Sequence, residues 1–319
     1  MKLIKTVFNP LRVGIRIFKN KIHDLFNAYW RMKKIIKFRL VHGYWANLEH
    51  PKTFSEKLLK RIISDIDPEY DLYSLKHFAQ YFVRLRDLPD LKLAKQLKVT
   101  TWLQPSDFDN LPESFVIKSS FGSGLNLVVL RKSDLKIKEV CDYFNLRIKT
   151  IKNAQNRVYP HNCIVIEAFI GDPRLGIPND FKFHCFNSIN EGFTCLIQVD
   201  SDRYGLHRQT ILDRNFSPVE MQFAGQTRHE IPPTKPNSLE KMLRIAEELS
   251  IGFDYIRIDL FDVEGEVFFG EITPFHQGAM APIKPREWDY KVGEIWKQRI
   301  PFHSHGTTNI QDHLDQTQT

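Results

Sequence analysis

Cysteine is scarce in this chain. Cys141, Cys163, Cys185 and Cys195 are the only four in 319 residues, and no two of them form a CxxC pair. That pattern excludes a zinc knuckle or a thioredoxin-type redox pair and leaves scattered thiols with no disulfide framework. Long apolar runs are missing too. No stretch approaches the roughly 20 residues that span a bilayer. Lys2, Lys5, Arg12, Arg16 and Lys19 interrupt any secretory apolar core at the start. A cytoplasmic protein is expected. Glycine-rich signatures are incomplete: no Lys-Ser/Thr pair follows Gly124, and the third glycine and helix of a dinucleotide fingerprint are lacking. A DxD-type acidic pair at a strand end is also missing, since Asp65-Ile-Asp67 falls in a helix-ending turn.

What charge there is lies unevenly. Residues 1–40 carry 11 Lys and Arg against one acid, Asp24, a net +10, whereas the remaining 34 basic and 37 acidic residues give −3. The overall +7 therefore belongs to the first segment and gives no support for nucleic-acid binding. In that segment Ile15, Phe18, Ile22, Leu25, Tyr29, Met32 and Ile36 follow 3-4 spacing, which predicts a basic amphipathic helix over about the first 45 residues. It either packs on the body of the protein or lies on an anionic membrane, a peripheral contact through residues 1–40. Residues 46–110 read as a mostly helical subdomain, with a helix start at Thr53 or Ser55, a second helix over Tyr73–Arg86 and mixed α/β near Lys92–Trp102. The polar tail over 301–319, with His303 and His305, reads as disordered.

From Pro112 the pattern changes. FVIK is a strand ending in Lys118; SSFGSG follows, and then the strand LNLVVL. Such a hairpin tip is either an ordinary turn or a place where backbone N–H groups approach phosphate oxygens. Glu167 intrudes on the apolar run CIVIEAFIG, where a carboxylate meets either an ion-pair partner or a ligand. DFKFHCFN and GFTCLIQV alternate like a hairpin, and DRYGLHR sets Arg203, His207 and Arg208 in a loop. A helix over LEKMLRIAEEL leads into FDYIRIDLFDVEGEVFFGEITPF, two strands about a tight turn. Placing Ile256, Ile258, Leu260 and Phe268, Gly270, Ile272 on one buried side sets Ile258 opposite Gly270 and Arg257 opposite Glu271. Arg257, Asp259, Glu271 and Thr273 then share the other face. They form either a surface charge ladder or a site for a hard cation and a phosphate.

In this order HPKTFSEKL, LPESFVIKSSFGSG, IPNDFKFHCFN, DRYGLHR and the final strand pair resemble the ATP-grasp superfamily, in its TupA-like (teichuronopeptide biosynthesis) branch, over about residues 45–295. The resemblance implies an α+β ATP-grasp fold, with two α/β subdomains over 111–300 clamping ATP behind a helical N-terminal extension. It implies ATP and Mg²⁺ as cofactors. Lys118, Ser120 and a lid of Gly122, Ser123 and Gly124 would hold phosphates, with Glu167 at the hinge by the adenine or ribose. Asp259 and Glu271 would be metal ligands, Thr273 standing where many members carry Asn. Arg257 would stabilise the transferred phosphoryl group, with Lys182 and Arg208 as further catalytic residues. Arg203 and His207 would contact an anionic glycan or amino-acid substrate. In LKHFAQYF, Lys76 is kept, while Gln80 replaces the arginine usual in the branch. The implied activity is an ADP-forming carboxylate–amine ligase acting through an acylphosphate in bacterial surface polysaccharide biosynthesis. Its alternatives are a kinase acting on a sugar hydroxyl and a glycosyltransferase-like protein.

Overall fold

The structure, a computed structural model, describes residues 25–298 apart from 26, 65–67, 123, 155–162 and 202–205. The expectations for Ser123, Arg203, the Asp65–Asp67 turn and the tail fall outside those residues. The chain opens with helix α1 over residues 27–42. Then come α2 (Phe54–Ser64), α3 (Pro68–Tyr73), α4 (Lys76–Leu85), β1 (Leu91–Lys92) and β2 (Gln96–Thr100). The next group is β3 (Phe115–Ser119), β4 (Asn126–Val129), α5 (Ile137–Ala154) and β5 (Ile164–Ala168). After these run β6 (Asp180–Ser188), β7 (Gly192–Ser201), β8 (Arg208–Leu212), β9 (Gln222–Phe223) and β10 (Thr227–Arg228). The last are α6 (Leu239–Ser250), β11 (Tyr255–Val263), β12 (Glu266–Thr273), β13 (Ile283–Lys284) and α7 (Arg286–Ile295).

Two sheets organise the molecule. The larger has seven strands in the order β1-β12-β11-β6-β7-β8-β10, and the smaller has four, β2-β5-β3-β4. Residues 46–110 do not stand apart as a helical unit. Their strand β1 joins the large sheet beside β12, and β2 joins the small one beside β5. The segment is therefore shared between both sheets because each needs an edge strand from it.

Helix α2 begins at a capping box. Thr53 Oγ1 accepts from the Glu56 N–H at 3.1 Å, and Glu56 Oε2 accepts from the Thr53 N–H at 3.1 Å. These satisfy two donors that the first turn leaves open, each contributing about 1 kcal/mol. Three apolar cores follow from the alternation of the strands. Phe181, Phe183, Ile197, Val199, Ile256, Ile258 and Leu260 form one face of the large sheet, sealed by apolar residues of α4 and α6. Leu196, Ile211 and Tyr255, from the opposite face, pack with α2, α7 and Trp296. The small sheet buries Phe115, Ile117, Ile164 and Ile166 against α5.

The β11–β12 register differs from the sequence expectation. Near the turn Phe261 pairs with Phe268 and Leu260 with Phe269. A bulge at Gly270 then shifts the pairing by one, so that Asp259 faces Glu271, Ile258 faces Ile272 and Arg257 faces Thr273. Val267, Phe269 and Ile272, rather than Phe268, Gly270 and Ile272, therefore lie in the core. Periodicity alone cannot reveal the inserted residue, because each half of the strand alternates correctly by itself. The consequence is large: with no bulge Glu271 would lie opposite Ile258 and point into the core, and Ile272 would face the cleft side opposite Arg257.

Glycine is required at the bulge. A Cβ on residue 270 would lie 2.9 Å from the Asp259 carbonyl oxygen and 2.9 Å from Phe261 Cε2. Gly270→Ala is expected to cost about 1–3 kcal/mol in urea unfolding, the usual range for forced overpacking. It is also expected to weaken ligand binding in the cleft described next. Unchanged stability would contradict the role given to this bulge.

Candidate active site

A cleft of about 840 Å³, its open mouth included, runs between the two sheets. The small sheet contributes Val116, Lys118, Asn126, Val128 and Glu167; the large one contributes Asp180, Asp259, Phe261, Phe269, Gly270 and Glu271. Apolar and charged residues thus line one groove together, the usual character of a small-molecule site.

The charged end is built on alternate positions of adjacent strands. On β11, Arg257 binds Asp259 with two hydrogen bonds, Nε to Oδ1 at 2.6 Å and Nη2 to Oδ2 at 2.7 Å. Its Nη1 lies 2.8 Å from His276 Nδ1, and Nη2 is 3.7 Å from Glu271 Oε1. On β6, across from Asp259, Lys182 Nζ bonds Asp180 and lies 3.3 Å from Asp200 and 3.5 Å from Asp259. One ammonium is thus shared by three buried carboxylates. Burial pushes the Asp259 carboxyl up, and Arg257 and Lys182 oppose that push.

Glu271 behaves differently. Burial would raise its pKa, but Lys76, then Arg257, the Thr273 hydroxyl and Lys182 outweigh it and hold the group at about 2. Thr273 Oγ1 donates to Glu271 Oε1 at 2.6 Å, so the hydroxyl fixes this carboxylate. Asp200 is also held at about 2. Burial is outweighed by Lys182 and by Gln209 and Gln198, whose amides donate to it at 3.0 and 2.9 Å. His184, between Tyr255 Oη and Gln198 Oε1 at 3.1 Å each, is pushed down to about 4 by burial and then by Arg257. Burial likewise lowers His276 well below the usual imidazole range. Both rings are neutral near pH 7.

On the opposite wall Lys118 Nζ donates to Glu167 Oε2 at 2.6 Å, while Gln80 Nε2 donates to Glu167 Oε1 at 2.7 Å. The glutamine that replaces the branch's usual arginine thus has a defined partner. Gly122 and Gly124 turn the β3–β4 loop with φ of +82° and +83°. Lys76 Nζ holds that loop through the Gly122 carbonyl oxygen at 2.9 Å. Ser120 is fully buried, with its hydroxyl 2.5 Å from His77 Nδ1, and it does not line the cleft. His207 Nε2 lies 3.3 Å from Asp200, whereas the next residue, Arg208, contacts Glu230 at 3.2 Å. Alternation along β8 separates Arg208 from the Lys182 cluster, because Gln209 takes the position that bonds Asp200.

The structure therefore brings together Lys118, Glu167, Lys182, Arg257, Asp259, Glu271 and Thr273. Asp180, His184, Gln198, Asp200 and His276 were missed. For the first four the signal was a period-2 polar series inside apolar strands, Asp180-Lys182-His184 and Gln198-Asp200, which marks a buried polar face; His276, in the turn after β12, carried none. Among the described residues no group of three or more His, Cys, Asp or Glu is arranged to hold a metal ion. Two opposed carboxylates, Asp259 and Glu271, nonetheless suit Mg²⁺, which is commonly held by one or two protein carboxylates plus substrate phosphates.

A model of the TupA-like ATP-grasp family matches residues 56–297. Among solved structures the chain is similar to a D-alanine–D-alanine ligase from Helicobacter pylori, with 19% identity and a TM-score of 0.43, covering 72% of this chain and 62% of that one. It is also similar to a phosphoribosylamine–glycine ligase from Thermotoga maritima, with 14% identity and a TM-score of 0.39, covering 75% and 58%. A third is N5-carboxyaminoimidazole ribonucleotide synthetase from Thermus thermophilus, with 11% identity and a TM-score of 0.36, covering 64% and 45%. The chain thus spans less than two thirds of the length of each of these proteins. No curated protein matches it.

Because the folded-state pKa of Asp200 lies below its ordinary value of 3.8, its contribution to stability is complete above that value and is lost as pH falls toward about 2. The loss is expected to reach roughly 2 kcal/mol. Chemical denaturation followed from pH 5 to pH 2 should show a shallower decline in Asp200→Asn than in the wild type. Parallel curves would remove the carboxylate from this account.

Proposed function

The chain belongs to the TupA-like ATP-grasp family, and from that premise we propose that it is an ATP- and Mg²⁺-dependent ligase joining a carboxylate to an amine. The observation that carries this reading is the placement of Lys118 on one wall of the cleft and of opposed Asp259 and Glu271 on the other. The apolar lining residues Val116, Val128, Phe169 and Ile170 suit the flat base of a nucleotide, and the charged ones suit its phosphates. Four cations, Lys76, Lys118, Lys182 and Arg257, stand against five carboxylates, Glu167, Asp180, Asp200, Asp259 and Glu271. A polyphosphate entering that field meets no net positive charge and needs a divalent cation to neutralise it.

In this reading Asp259 and Glu271 hold Mg²⁺, which supplies charge neutralisation at the phosphates when bound. Arg257 orients Asp259, and Thr273 orients Glu271. Lys182 holds Asp180, Asp200 and Asp259 side by side. Lys118 reaches phosphate oxygens from the opposite wall, beside Glu167, which faces the nucleoside. The carboxylate substrate takes the terminal phosphoryl group of ATP as an acylphosphate, and attack by the amine then releases phosphate. His207, at the half-buried edge of the Asp200 cluster, contacts an anionic acceptor. Membership of the TupA-like branch supports components of a bacterial surface polysaccharide as the substrate class.

Thermal-shift titration with ATP·Mg²⁺, ATP alone and UDP-sugars tests the reading. Stabilisation is expected with ATP·Mg²⁺, far less with ATP alone and none with UDP-sugars. Asp259→Asn is expected to abolish the Mg²⁺-dependent part. No shift with ATP·Mg²⁺, or an unchanged shift in the variant, would overturn it. Product analysis then separates the chemistry: ADP with an amide supports the ligase, whereas ADP with a stable phosphoester means a hydroxyl was phosphorylated instead.

A further inference from the structure

Helix α1 meets the rest of the protein through one side only. Phe38 is fully buried there, with Trp30 and Ile35 packed against the same core as α2 and Trp296. At the helix end His42 Nε2 lies 2.9 Å from the Ala279 carbonyl oxygen. Of the two placements open to the Leu25–Tyr29–Met32–Ile36 seam, packing on the protein body is not what forms. Those four residues, with Leu40 one turn on, are exposed, from 44% at Ile36 to 78% at Leu40. At about 100° per residue they fall within an arc of roughly 80°, one continuous apolar stripe.

Basic residues border the stripe. Lys33 and Lys37 lie along one side and Arg39 along the other, with Arg31 further round. From Leu25 to Leu48 the chain has no acid, the first being Glu49. A second copy docked on this stripe would bring the two basic borders together. An anionic bilayer offers the complementary charge and also an apolar interior for Met32, Ile36 and Tyr29, while lysine stems let the ammonium groups stay at headgroup level.

We propose that the outer face of α1 is a docking surface for anionic phospholipid membrane, seating the protein flat on the bilayer surface. No helix among the described residues is long and apolar enough to cross a membrane. The attachment is therefore interfacial, apolar burial adding to the attraction between lysines and headgroups.

Co-sedimentation of the full chain with vesicles of phosphatidylcholine alone, and of phosphatidylcholine with phosphatidylglycerol, tests this. The wild type is expected to pellet with the anionic vesicles only and to be released by high salt. Met32→Asp with Ile36→Asp is expected to abolish pelleting at an unchanged melting temperature. Lys33→Gln with Lys37→Gln leaves the stripe intact and is expected to weaken binding about thirty-fold. The proposal fails if the wild type stays in the supernatant or if both double variants pellet like the wild type. It also fails if light scattering shows a dimer that the Asp variants split while vesicles bind nothing. The readout needs no nucleotide, so its failure and that of the ligase reading are separate results.

Discussion

The candidate site depends on a one-residue offset in a β-hairpin. Strand alternation permits only every second side chain on a face, so two acids on facing strands meet only if the register allows it. In β11–β12 the pairing that buries Leu260 against Phe269 is not the pairing that sets Asp259 against Glu271, and the bulge at Gly270 reconciles the two. One strand therefore serves the core on both sides of the bulge while presenting Glu271 to the cleft. Backbone and ring atoms 2.9 Å from the missing Cβ explain why the offset residue is a glycine.

Behind that hairpin lies a densely charged interior. Arg257, Lys182, Asp180, Asp200 and Asp259 are all buried, and removing each from water costs several kcal/mol before its partners compensate. An apolar packing of similar volume would serve stability as well. The arrangement makes sense as preparation: the carboxylates are fixed and aimed before any ligand arrives, so little reorganisation is left for the bound state. Neutral His184 and His276 belong to the same scheme, bonding the cluster without adding a charge to it.

Much of this was legible in the sequence because its signals are local. The helix cap at Thr53, the β6–β7 hairpin, the glycine loop after Lys118 and the shared face of Arg257, Asp259, Glu271 and Thr273 all follow from spacing or from resemblance to a known family. Three things were not legible, each for a physical reason. The bulge hides because alternation is intact on both sides of it. Asp180, His184, Gln198 and Asp200 hide because a polar residue inside an apolar strand acquires meaning only once the neighbouring strand is known. Thr273 and Arg257 change character, from ligand and phosphate clamp to braces for Glu271 and Asp259, because only side-chain geometry shows which hydrogen bonds are already committed.

Helix α4 gives the molecule a mechanical property. Its apolar side, Phe78, Ala79, Phe82 and Val83, is part of the large sheet's core. Its polar side reaches the small sheet and its loop at three points: Lys76 to the Gly122 carbonyl, His77 to Ser120 and Gln80 to Glu167. The helix is thus bolted to one jaw and latched to the other. Separation of the jaws has to release hydrogen bonds on α4, and the bonds in question involve the β3–β4 loop and the glutamate beside Lys118. Opening the cleft and loosening the wall that carries Lys118 are a single event.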